Sequence, residues 1–270
     1  MAFVNLHKPL HDGSSKAPQQ YSGANAAAEP SFAFPLRWAA LENDVVKLTP
    51  FLSTNHGDLF WSKFAPDRDD LMRWMPWSPP SAFDELMAML DGVCPFNDKA
   101  TILCSVVDKT QPDEGRGLGG ALAGLIGLLN TSEEHLRTEV GPVLTLRAYQ
   151  GTHVTANAVG LLLRYCLNLP SDRETPGLGL RRVAWTTSPL NIGSQMTAEK
   201  MGFVKEGVSR WKWVMPIEKA SLGNLPHPEM KDRRPGRDSV DYAICWDDWE
   251  KGARIVVEER MAKSIKYIHK

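Results

Sequence analysis

The stretch from Val154 to Leu169 limits the fold more than any other. Val154, Ala156, Ala158, Val159, Leu161, Leu162, Leu163, Tyr165, Cys166 and Leu167 make the helix they would form apolar on nearly every face. The run falls short of the roughly 20 residues a bilayer crossing needs. A helix of this kind is packed against a sheet on one side and covered by another element on the other.

The flanking sequence supplies that sheet. Val45 to Pro50 reads as a first strand, and Asn55 to Phe64 and Phe83 to Leu90 as helices. The second helix is entered through Ser78-Pro79-Pro80-Ser81 and has Asp84 and Glu85 in its first turn. Thr101 to Val107, Ala121 to Leu129 and Thr138 to Leu146 are β-rich and follow one another through short loops, which suggests an antiparallel meander. Beyond the buried helix come a strand at Arg182 to Thr187 and a short helix at Asn191 to Met201, stopped by Gly202. A strand at Phe203 to Met215, a long polar loop at about 219–238 and a last strand at Ser239 to Trp246 follow. The final helix opens with Asp247, Asp248 and Glu250 and closes with Lys263, Lys266 and Lys270, in keeping with the helix dipole. The expected architecture is a single α/β domain over 36–270, behind a mobile leader at 1–35.

Composition removes several functional classes. Of 270 residues, 43% are apolar and 23% charged, which rules out wholesale disorder. A net charge of −1 argues against a dedicated nucleic-acid binder, and no apolar run suits a signal peptide or a membrane span. Cys94, Cys104, Cys166 and Cys245 are too widely spaced for CxxC pairs, so no metal site is expected and a reducing, cytoplasmic location fits. The nine Trp outnumber the five Tyr, and indole walls pockets as readily as it fills cores.

The join at Gln150 to Thr155 presents free N–H groups and a partial positive charge, suited to phosphate. Read locally, it is equally an ordinary strand-to-helix connection capped by Thr152 or Thr155. Three blocks add to this: Glu139-Val140-Gly141, Tyr149-Gln150-Gly151, and Asn191-x-x-Ser194-x-x-x-Ala198-Glu199-Lys200-Met201-Gly202-Phe203-x-x-Glu206-Gly207. Together with the closing Trp246-Asp247-Asp248-Trp249-Glu250, they resemble the GNAT superfamily of N-acetyltransferases, in a fungal-like variant of its RimJ/RimL-type branch. The third block is the specific one, and the resemblance spans roughly Val45 to Met261.

That resemblance implies a GNAT fold: a mixed, mostly antiparallel sheet splayed into a V and flanked by helices. It implies acetyl-CoA as cosubstrate in the cleft, and direct transfer to a primary amine of a small molecule or a protein N-terminus. By position, Gln150, Gly151, Thr152, His153, Val154 and Thr155 form the pyrophosphate loop. The family pattern Gln/Arg-x-x-Gly-x-Gly/Ala is altered here by His153 and Thr155, so the side chain at 153 either hinders close approach or donates a hydrogen bond. Glu139 is the candidate base, and backbone N–H groups around Leu144 and Leu146 would face the thioester. Ala198 stands where many members carry a tyrosine acid, which leaves Ser194 as the hydroxyl in register. Asn191 caps that helix or touches the CoA arm.

For the acceptor, Trp74 and Trp77 with Met75, and Trp211 and Trp213, flank the cleft. Trp211 and Trp213 are two apart and share one strand face, while Trp246 and Trp249 read as structural. Lys231, Arg233, Arg234 and Arg237, interleaved with Glu229, Asp232 and Asp238, read as a solvated loop. The expected partner is a small-molecule or peptide amine, without nucleic acid or membrane, and a homodimer is left open. The alternative is a GNAT-fold protein that binds acyl-CoA without turnover or serves as an interaction module.

Overall fold

The computed structural model describes residues 30–265. Strands β1 (Val46–Pro50), β2 (Ile102–Asp108), β3 (Ala121–Ser132), β4 (Arg137–Thr145), β5 (Arg182–Thr187), β6 (Val204–Val214) and β7 (Gly236–Cys245) form one sheet in the order β1-β2-β3-β4-β5-β7-β6. β1 to β4 form the expected meander, and the β4/β5 pair alone is parallel among neighbours.

Alternation along the strands sends apolar side chains to both faces. In β2, Ile102, Cys104 and Val106 join one core, and Leu103 and Val107 the other. Helices α1 (Asp58–Phe64), α2 (Arg68–Met72) and α3 (Phe83–Val93) cover the second face, with Phe60, Phe64, Leu86 and Leu90 buried against it. Helix α4 (His153–Leu167) covers the first face and is itself roofed by α7 (Arg254–Ile265). The two helices approach closely at Gly160, where a Cβ would lie 2.3 Å from Met261 Sδ. This sandwich accounts for apolar residues on nearly every face of α4.

A buried polar hub pins the roof in place. Asn157 is fully buried; its amide donates to the His153 carbonyl at 2.8 Å and to Ser264 Oγ at 2.9 Å, and its oxygen accepts from Asn43 Nδ2 at 2.8 Å. Trp249 is buried as expected and donates its indole N–H to Asn168 Oδ1 at 2.9 Å, whereas Trp246 is 58% exposed and is not a core residue. Among the described residues, no helix is long and apolar enough to cross a membrane.

Three expected boundaries move. β7 begins at Gly236, so residues 236–238 belong to a strand and the preceding connection starts with a 3-10 turn at Ile217–Leu222. The closing helix is split: a short α6 (Trp246–Asp248) runs into a wide turn at Trp249–Ala253, where Gly252 takes φ 145, before α7. Of the expected leader, residues 1–29 lie outside the described residues, as do Lys266 and Lys270. Residues 31–35 are held against the body: Ser31 and Ala33 N–H donate to the Phe96 and Lys99 carbonyls at 3.1 and 2.9 Å, and Phe32 and Phe34 pack on the core. The packed chain therefore begins upstream of residue 36.

Under the α1–α3 face, His56 Nδ1 accepts the Leu52 N–H at 3.2 Å and contacts Ser105 Oγ at 2.8 Å. Burial, aided by the Arg116 charge, lowers its pKa from 6.5 to about 4. The folded state thus binds this proton less readily than the unfolded chain, and the stability it guards is present above pH 6.5 and lost as pH falls toward 4. Urea unfolding followed across that window is expected to show a falling midpoint, with a shallower fall in His56→Gln.

Candidate active site

β4 and β5 pair over three positions only, Arg137, Thr138 and Glu139 against Arg182, Val183 and Ala184. Beyond Glu139 they part, and the opening is a cavity of about 790 Å³. Its walls are β4 from Glu139 to Thr145, Trp185 to Thr187 of β5, the start of α4, helix α5 (Ile192–Lys200), and the segment carrying Trp74 and Trp77.

The β3–β4 ladder decides which backbone groups face this opening. Leu146 donates its N–H to the Ala123 carbonyl at 3.0 Å, and Leu144 lies opposite Leu125 in the same register. Because hydrogen-bonded positions alternate along an antiparallel ladder, both amides point into β3. The N–H groups of Val143 and Thr145 point to the edge that β5 has left. The amides expected from Leu144 and Leu146 are therefore displaced by one residue, although the Leu144 side chain does line the cavity.

At the start of α4, Gly151 takes φ 74 and turns the chain. Thr152 caps the helix, its Oγ1 accepting the Val154 N–H at 3.3 Å and donating to the Tyr149 carbonyl at 2.7 Å. Gln150 folds back to donate to the Thr145 carbonyl at 3.2 Å. Thr155 Oγ1 meets Thr145 Oγ1 at 2.8 Å. Gln150, Gly151, Thr152 and Thr155 line the cavity, whereas Val154 is buried in the core. His153 does neither of the things expected of it. Its Nε2 sits 3.1 Å from Asp108 Oδ1, with both side chains buried and neither lining the cavity. Residues 153 and 155 are about 200° apart around the helix, so one faces inward and the other the cleft.

Glu139, at the apex of the V, lines the cavity, and its carboxylate accepts the Asn130 side-chain amide at 2.8 Å. Asn130 holds that position in the left-handed region, at φ 51. On the opposite wall, Asn191 caps α5 by accepting the Ser194 N–H at 3.1 Å. Ser194 Oγ accepts the Trp185 indole N–H at 3.0 Å. Indole only donates, so the Ser194 hydroxyl proton remains available to the cleft. Ala198 is fully buried and offers the cleft nothing.

The sequence matches the family described as "Acetyltransferase (GNAT) domain" over residues 46–204, more than half of the chain. The chain belongs to the GNAT acetyltransferase family. A GCN5-related N-acetyltransferase from Brucella melitensis shares the fold with a TM-score of 0.64 at 21% identity, over 87% of this chain and 90% of that one. Mycobacterium smegmatis RimJ in complex with CoA-disulfide gives 0.57 at 15%, over 79% and 88%. Spermidine N-acetyltransferase from Vibrio cholerae, in complex with CoA and spermine, gives 0.53 at 18%, over 77% and 99%. A search of curated proteins finds no match.

The far wall of this GNAT cleft is aromatic. Trp74, Met75, Trp77 and Trp213 line it, but Trp211 does not. A bulge between Ser209 and Trp213 puts Trp211 at φ 55 and breaks the alternation that would have kept the two indoles on one face. Trp211 lies instead against Gly236, where a Cβ would be 2.0 Å from its ring. The connection after β6 is tied to the same wall. Lys219 donates through Nζ to the Met72 and Met75 carbonyls, both at 2.7 Å, and Ser78 Oγ donates to Glu218 Oε1 at 2.6 Å. Burial, opposed by Glu218, brings the Lys219 pKa down to about 8.

Several cavity residues escaped the sequence reading, Asn130, Trp185 and Arg237 among them. Asn130 carried no signal, Trp185 was visible only as part of a strand, and Arg237 was assigned to a solvated loop although it is buried and lines the cleft. Cys245, Asp247 and Asp248 converge near the start of α6, but Asp248 accepts the Cys245 N–H at 2.9 Å as a cap and Asp247 pairs with Lys251 at 2.8 Å.

Lys219→Met leaves two carbonyls without their charged donor. The expected result is faster hydrogen exchange at 72–80, unchanged exchange in α4, and a loss of about 1–3 kcal/mol in urea unfolding.

Proposed function

We propose that this GNAT protein is an acetyl-CoA-dependent N-acetyltransferase of the RimJ/RimL-type branch. It transfers the acetyl group directly to a primary amine of a small molecule or a protein N-terminus. One observation carries the reading: the unpaired edge of β4, a carboxylate and a hydroxyl with a free proton meet around a single cleft. Acyl transfer to an amine needs all three kinds of group. The spermine and CoA bound by the Vibrio cholerae neighbour support an amine as acceptor class and CoA as donor. The Ala198 to Gly207 block supports the branch, and the widely spaced cysteines a reducing, cytoplasmic setting.

Acetyl-CoA supplies the acyl group and, as thiolate, the leaving group. The chain's own residues do the rest. The start of α4 offers backbone N–H donors around Gly151 and Thr152, and a hydroxyl at Thr155, to a pyrophosphate. The Val143 and Thr145 amides stabilise negative charge developing on a carbonyl oxygen beside β4. Glu139, oriented by Asn130, takes the proton of the incoming ammonium directly or through water. Ser194, its oxygen already engaged by Trp185, donates its hydrogen toward the departing sulfur. A fully buried alanine at 198, where many relatives carry a tyrosine, favours a second reading: an acyl-CoA binder without turnover.

Thermal shift with acetyl-CoA, run beside thiol release over an amine panel, separates the two readings. Stabilisation with release supports the transferase, and stabilisation without release on any amine supports the binder. Glu139→Gln is expected to lower turnover at neutral pH by roughly 10²–10⁴-fold while acetyl-CoA affinity stays the same. Unchanged turnover would remove Glu139 from the mechanism.

A further inference from the structure

Arg237 is the unexplained residue of the cleft. It lies on β7 directly opposite Trp213, is only 6% exposed, and contributes to the cavity wall. Its Nε is buried without any partner, and no carboxylate stands within 4.0 Å of its guanidinium among the described residues. Neither acid whose charge acts on it is paired with it: Glu139 accepts the Asn130 amide at 2.8 Å, and Asp241 accepts from Lys212 at 2.6 Å. Burial brings its pKa down to about 10, so the group stays cationic at neutral pH. A desolvated charge without a counterion is unfavourable, and proteins retain such groups where something else completes them.

The other charges of the cavity, the bases Lys200 and Arg260 and two acids, narrow what that is, and Arg237 differs from the two bases in lying on β7 across the ladder from Trp213. Its acids are Asp70 and Glu139, and Asp70 is already paired with Arg73 at 2.7 Å and with Arg147. A polyamine would therefore find one available carboxylate and face a buried guanidinium. A zwitterion finds both of its partners: Glu139 for the ammonium and Arg237 for a carboxylate, through a forked, charge-assisted contact. Trp213, across the ladder from Arg237, and Trp74 and Trp77 offer flat apolar surface for the remainder.

We infer that Arg237 binds a carboxylate of the acceptor, so that the acceptor is an amino acid with an aromatic or apolar body rather than a simple amine or a polyamine. The inference rests on the transferase reading for its chemistry, but its test reads binding as well as turnover.

The probes are L-phenylalanine and L-tryptophan, their decarboxylated counterparts 2-phenylethylamine and tryptamine, and spermidine. Each is titrated by calorimetry against wild type and Arg237→Met in the presence of CoA, and assayed by thiol release with acetyl-CoA. In wild type, the amino acid is expected to bind about 100-fold more tightly than its amine, the size of a desolvated charge contact. In Arg237→Met that ratio is expected to collapse to near unity, and the melting temperature to hold or rise because an uncompensated charge has gone. Equal binding of acid and amine by wild type, binding of spermidine alone, or no binding by any probe overturns the inference. So does a ratio unchanged by Arg237→Met. A lowered melting temperature with the ratio preserved assigns Arg237 to the fold and likewise overturns it. Arg237-dependent binding without thiol release would sustain the carboxylate site while the transferase reading falls.

Discussion

The structure turns on the parting of two parallel strands. β4 and β5 pair for three residues and then separate, so the rest of β4 is paired with β3 on one side, through a register shift between Ile126 and Leu128, and has an unpaired edge on the other. Backbone N–H and C=O groups withdrawn from both water and a ladder are unfavourable. Gln150 satisfies one such carbonyl, that of Thr145, from within the chain. The Val143 and Thr145 amides turned to the gap are what an extended ligand arm running along β4 would satisfy. The cavity follows from this divergence, as do the position of Glu139 at its apex and the placement of the α4 and α5 N-termini at its mouth.

Holding such a gap open requires rigid surroundings. The α1–α3 layer and the α4–α7 layer clamp the meander from opposite faces, each through its own apolar core. On the aromatic wall of the cleft the clamp is polar: Lys219 and Glu218, far along the chain, secure the Trp74–Trp77 segment through two backbone carbonyls and Ser78. Aromatic surface next to water is held in one arrangement by hydrogen bonds rather than by burial.

The sequence revealed the elements more readily than their orientation. The apolar circumference of Val154 to Leu167, the strand at Arg182 to Thr187 and the stop at Gly202 were legible because periodicity and a left-handed glycine are local signals. What failed depended on parity set by partners. Which β4 amides face the gap follows from the ladder with β3, and no property of Leu144 or Val143 announces it. The bulge at Trp211 overturned an alternation that was sound for an unbroken strand. His153 looked like a phosphate ligand or an obstacle because its counterpart, Asp108, lies 45 residues away. Arg237 sat among charged loop residues in sequence, and only its pairing with Trp213 carries it into the cleft.

Asn157 gives the architecture a temporal consequence. Its three hydrogen bonds reach the segment before β1, its own helix, and the last turns of α7, so contacts 114 and 107 residues apart in sequence complete one buried amide. Synthesis delivers the sheet and α4 before α7, so until α7 arrives α4 is covered on one side only and the Asn157 amide lacks its Ser264 partner. The N-terminal end of α4, which lines the cleft, is thus completed late, and a chain that stops before α7 lacks both this roof and Arg260, a residue of the cleft wall.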